Sequence, residues 1–78
     1  MREKKLQCVV TFKTTTQAMA FEENAKKVQL GGRLIPLPRV IAAGCGLSWR
    51  DDPEARILIE NLLYKHHLEY DKIYEIII

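Results

Sequence analysis

"RLIPLP", residues 33–38, reads as a strand with an obstacle built into it. Pro36 and Pro38 have the same strand parity, so their missing amide donors fall on one side of the ladder. A central strand needs donors on both sides, and a proline-bearing strand is therefore expected at a sheet edge. The segment that follows, "GLSWR" (46–50), supplies an antiparallel partner across the intervening loop.

The remaining elements follow on either side. "KLQCVVTF" (5–12) places Leu6, Cys8, Val10 and Phe12 on one parity and Gln7, Val9, Thr11 and Lys13 on the other, predicting a strand with one better-buried face. In "TTTQAMAFEENAKKVQL" (14–30), Ala18, Phe21, Ala25 and Val28 form a stripe at helical spacing. Thr14 with Gln17 has the spacing of a capping box, and Gly31 and Gly32 are expected to stop the helix through positive φ. After "GLSWR", Asp52 is expected as an N-cap and Pro53 at the first helical position. Ala55, Leu58, Ile59, Leu62 and Leu63 mark the second helix's buried face. The last strand lies within "YDKIYEIII" (70–78). Trp49 and Tyr74 read as strand packing residues.

The order is βαββαβ, an α+β ferredoxin-like sandwich: an antiparallel sheet with two helices on one face. One domain spans residues 1–78, a length that allows only a small core. That topology puts the second strand at an edge, as the prolines require. It also predicts that three connections meet at one end: the threonine turn, the loop holding Cys45, and the exit from the second helix near His66 and His67.

Charge and composition narrow the function classes. Formal net charge is only +2, yet residues 1–50 hold nine Lys or Arg against three acids, and residues 51–78 hold three against seven. No basic run is interleaved with aromatics, which argues against nucleic acid as a partner. No apolar segment approaches the ~18 residues of a membrane span. "MREKKLQ" leads into no long apolar region, so no signal peptide is expected and a cytoplasmic location is the expectation. The two cysteines, Cys8 and Cys45, form no zinc-ligand cluster, and neither a metal nor another cofactor is expected.

Cys8 is expected to be a core residue. Cys45 stands between Gly44 and Gly46 with Ala42 and Ala43 before it, so little neighbouring bulk would cover it. Three readings stay open: a packed turn whose glycines solve a backbone problem, a loop that presents a carrier or nucleophilic thiol, or a redox or metal role. In the second, Arg39 and backbone amides freed by Gly44 and Gly46 would favour the nucleophilic thiolate. The N-terminus of the first helix, at Thr15, would add positive potential. His66 and His67 are candidate bases that no spacing singles out.

"FKTTTQAMAFE" (12–22), then "PLPR" (36–39) and "CGLSWR" (45–50), resemble a small bacterial family of selenium or sulfur carrier-like proteins, from about Gln7 to Tyr74. Thr15, Glu22, Pro36, Pro38, Arg39, Cys45, Gly46 and Leu47 match its pattern. The resemblance implies a carrier whose transferred atom sits on Cys45. Some relatives have serines where Ala42, Ala43 and Gly44 stand here. Others are joined to a sulfurtransferase-like domain, so donor and acceptor would here be separate proteins. The competing expectation is a non-catalytic interaction or regulatory domain that uses a sheet edge, homo-oligomers included.

Overall fold

The computed structural model of the protein describes residues 4–41 and 45–78. The chain runs β1 (Leu6–Thr11), α1 (Thr15–Lys27), β2 (Arg33–Pro36), β3 (Leu47–Asp51), a 3-10 turn (Pro53–Ala55), α2 (Arg56–Lys65) and β4 (Ile73–Ile77). The sheet order is β2-β3-β1-β4 with every pair antiparallel, the ferredoxin-like arrangement.

The prolines sit as the topology requires. Among the described residues β2 pairs only with β3, and Leu37 N donates to Gly46 O at 2.8 Å. Alternation then turns the donor-less Pro36 nitrogen away from β3, where no ladder bond is lost.

Cross-strand register separates the two sheet faces. Cys8, Val10 and Phe12 share a face with Trp49 and pack against Ala18, Phe21 and Ala25 of α1 and Ile59, Leu62 and Leu63 of α2. Aromatic rings occupy the middle: Phe21 lies 5.6 Å from Phe12 and 5.2 Å from Trp49 between centroids, the latter edge-to-face. The expectation of one better-buried face on β1 needs correction. Gln7, Val9 and Thr11 on the opposite face are buried too, each no more than 1% exposed.

The helix stripes are narrower than their sequence patterns. Val28 is 54% exposed because it is the C-cap of α1, beyond the last turn held against the sheet. Leu58 is 59% exposed: α2 buries the row Ala55, Ile59, Leu62 and Leu63, and Leu58 flanks it.

The caps also differ in detail. Thr14 Oγ1 accepts from Gln17 N (3.1 Å), while Gln17 Oε1 accepts from Lys13 N (3.0 Å), one residue earlier than in a standard capping box. Asp52 precedes the 3-10 turn by position, but its side chain makes no capping bond. Positive φ at the end of α1 belongs to Gln29 (60°) rather than to Gly31 or Gly32. Gln29 N donates to Lys26 O and Leu30 N to Ala25 O, a Schellman motif. α2 ends the same way, with His67 at φ 52°, His67 N on Tyr64 O and Leu68 N on Leu63 O. In each case the apolar residue after the left-handed position, Leu30 or Leu68, packs against the core.

A left-handed histidine costs more than a glycine there. His67→Gly should stabilise the protein by about 0.5–1 kcal/mol, a rise of several degrees in Tm. A thermal melt by circular dichroism checks this, and a fall in Tm would mean that the imidazole makes a contact worth more than the strain.

Candidate functional site

Three connections do converge at one end of the sheet. Cys45 N donates to Phe12 O (3.1 Å), tying the β2–β3 loop to the turn entering α1. The α2–β4 loop closes on the same turn: Asp71 N donates to Thr11 O (2.7 Å), Lys72 N to Thr11 Oγ1 (3.1 Å) and Gln17 Nε2 to Glu69 Oε2 (3.2 Å). Thr11 is thus the hub of this end, with its hydroxyl also within reach of Asp71 Oδ2 at 3.3 Å. Its role was hidden in the sequence, where it reads only as a strand residue of β1.

Cys45 is half-buried. Its thiol packs against the edge of the core, and Sγ lies 3.9 Å from Leu47 O, the length of a weak S–H donor contact. Gly46 beside it is exposed with φ 90°, a conformation that L residues rarely adopt. The glycine allows the chain to turn from the cysteine into β3 while Gly46 O accepts from Leu37 N.

Arg39 is exposed in a turn closed by Ile41 N donating to Pro38 O (3.0 Å), and it makes no ion pair among the described residues. Thr15 is the first residue of α1 and is exposed. It lines a shallow groove along α1 with Met19, Glu22 and Glu23. Gly44 lies outside the described residues. His66 is exposed and borders an apolar hollow of about 190 Å³ with Val28, Leu30, Leu58 and Leu62, while His67 serves the helix cap. Among the described residues no group of three His, Cys, Asp or Glu side chains is placed to hold a metal ion.

The other thiol is chemically different. Cys8 is fully buried in the centre of the sheet, and burial pushes its pKa up to about 11. Arg56 opposes that shift, while Glu75, Asp51 and Glu60 reinforce it. The folded state therefore favours the neutral thiol. Because the folded pKa exceeds the ordinary value of 9.0, this preference is fully present below that value and is lost as pH rises through 11. Between pH 8 and 11 the protein should lose about 2 kcal/mol through this group alone. Urea unfolding of wild type and Cys8→Ala at both pH values isolates it: the variant lacks the loss, and parallel pH curves would show that Cys8 ionises freely in the fold.

No described helix is long and apolar enough to cross a membrane. No curated protein and no solved structure matches the chain. A family model does: the one described as "Putative Se/S carrier protein-like" matches residues 7–75, from the second residue of β1 to the middle of β4 and across the whole Cys45 loop. Matched over nearly its full length, the chain belongs to the Se/S carrier-like family.

Proposed function

We propose that the protein is a selenium or sulfur carrier that holds the atom on Cys45 as a persulfide or its selenium analogue. The observation that carries the reading is the contrast between the two thiols. Cys8 is sealed in the core with its pKa raised, while Cys45 is only half-buried, on a loop within the family match. In the loading step the Cys45 thiolate attacks the outer sulfur of a donor persulfide. The donor S–S bond breaks as the new one forms, and the donor leaves as a thiolate, so no outside oxidant is needed. A second thiolate or other nucleophile on the acceptor then removes the outer atom and restores the Cys45 thiolate. In this reading Arg39, exposed on the same loop, supplies positive charge to the sulfur anion.

Intact-mass analysis after incubation with a persulfide donor tests this. Wild type should gain one sulfur, removable by dithiothreitol; Cys45→Ala should gain none, and Cys8→Ala should load like wild type. Equal labelling of wild type and Cys45→Ala would sink the assignment.

One observation favours the interaction-domain reading. β4 forms the second sheet edge, carries no proline, and exposes Ile77 at 65%. Unguarded apolar edges invite strand pairing. Sedimentation velocity over a concentration series should then show a dimer, and a monomer throughout would remove self-association as a function.

A further inference from the structure

A trough runs along the outer side of α2. One wall is α2 itself, and the other is the end of α1 with the turn behind it, at Val28 and Leu30. The hollow beside His66 is one half of it, reaching past Asn61 to Lys65. The other half runs from Leu58 in the opposite direction to Asp52 and Glu54. Val28, Leu30 and Leu58 line both halves, which makes them one continuous surface.

The trough is apolar in the middle and oppositely charged at its ends. Val28 and Leu58 are more than half exposed there. Asp52 and Glu54 are exposed at one end, Lys65 and His66 at the other. Within α2 the remaining charges are satisfied by the chain itself, since Arg56 pairs with Glu60 and with Glu75. Glu54 and Lys65 make no ion pair among the described residues. Glu54, Leu58, Asn61 and Lys65 form one row, at helical spacings of four, three and four residues. The spacing of that row is the same read from either end, while its charge reverses sign. Ile57 (69% exposed) and Tyr64 (85% exposed) flank it on the solvent side.

We infer that the occupant of this trough is a second copy of the chain, docked with the two α2 helices antiparallel about a two-fold axis between Leu58 and Asn61. A two-fold sets each position of the row against its counterpart in the other copy, and every such contact occurs twice. Glu54 of each copy then meets Lys65 of the other. The two Leu58 side chains lie less than one helical turn apart across the axis and cover the apolar walls formed by Val28 and Leu30. A polyanion would meet Asp52 and Glu54 at one end, and a cationic segment would meet Lys65 at the other. An uncharged apolar peptide would cover Leu58 and leave both ends unmatched. The trough is its own complement, so a second copy satisfies the middle and both ends together. This surface lies on the helix layer, not on the β4 edge, and the inference does not rest on the carrier chemistry.

Sedimentation velocity of the full chain at about 50 mM salt, from about 5 to 500 μM, tests it. A dimer should form in the micromolar range and weaken as salt rises, because the end pairs are exposed and screened. Glu54→Lys and Lys65→Glu should each weaken it at least about tenfold, and the double variant should return to within about threefold of wild type, since opposite charges meet again. Leu58→Glu should weaken it at least about a hundredfold, and Ile77→Lys on the β4 edge should leave it unchanged. All four positions are exposed, so no core is lost, and circular dichroism melts confirm that each variant is folded. Should a charge variant melt early, Leu58→Glu against Ile77→Lys decides by itself. A monomer at every concentration would leave the trough to a different protein and overturn the inference. A dimer that survives Leu58→Glu but not Ile77→Lys would move the interface to β4 and overturn it equally. Folded single charge variants whose loss the double variant does not repair would show that the two ends do not face each other, which also overturns it.

Discussion

Gly32→Ala is expected to destabilise the protein by at least about 3 kcal/mol. The reason is a close approach rather than a special backbone angle, because Gly46 is the glycine with positive φ among the described residues. A Cβ on Gly32 would fall on the Arg50 carbonyl oxygen and lie 2.8 Å from both Asp51 Cγ and Trp49 Nε1. The carbonyl is part of the sheet and cannot swing aside as a side chain could, so β2 would have to move off β3. Gly31→Ala is the matched control. Nothing lies within 4 Å of a Cβ there, and the loss of unfolded-state freedom should leave it neutral or up to about 1 kcal/mol more stable. Urea midpoints for the two variants should move in opposite directions or differ by several-fold in size; equal small losses would mean that β2 shifts easily.

Trp49→Ala should cost about 4 kcal/mol, against a total stability of roughly 4–12 kcal/mol for a domain of this size. Trp49 is 1% exposed, touches Phe21 edge-on, and donates from Nε1 to Asp51 Oδ2 at 3.1 Å. Removing it opens a cavity in the centre of the core and takes a donor from a carboxylate that is only 6% exposed. Asp51 would keep the bond from Asp52 N at 2.8 Å, so the carboxylate is not left wholly without partners. Trp49→Phe separates the contributions. It retains much of the ring packing and loses the hydrogen bond, for an expected cost of about 2 kcal/mol. Circular dichroism should follow both unfolding curves, since the variants lack the chain's single tryptophan. If the phenylalanine variant were as unstable as the alanine variant, the Asp51 bond rather than packing would dominate.

Much of this was legible in the chain itself because the signals are local. Alternating parity in "KLQCVVTF", the helical stripe of Ala18, Phe21 and Ala25, and prolines on one parity in "RLIPLP" each constrain the nearby backbone. With only six elements and one small core, those constraints suffice to choose the βαββαβ topology and its edge strand. Cys45 was equally visible, as a cysteine between glycines in a segment that resembles a carrier family.

What the sequence could not show depends on register and on three-dimensional neighbours. Nothing in the neighbours of Gln29 or His67 marks them as left-handed helix ends; that assignment comes from where each helix must turn to bring Leu30 or Leu68 onto the core. Gly32 looked like a helix stop, yet its lack of a side chain serves the Trp49–Asp51 pair on the neighbouring strand. The sequence by itself determined the elements, their order and the cysteine loop, because backbone preference and hydrophobic period act over a few residues. Only the tertiary structure decided that Cys8 is sealed while Cys45 is half-buried, and that Lys5, Arg33, Arg50 and Lys72, scattered over the chain, share one face of the sheet. Burial and electrostatic potential depend on distance in space, and strand pairing alone converts that scatter into proximity.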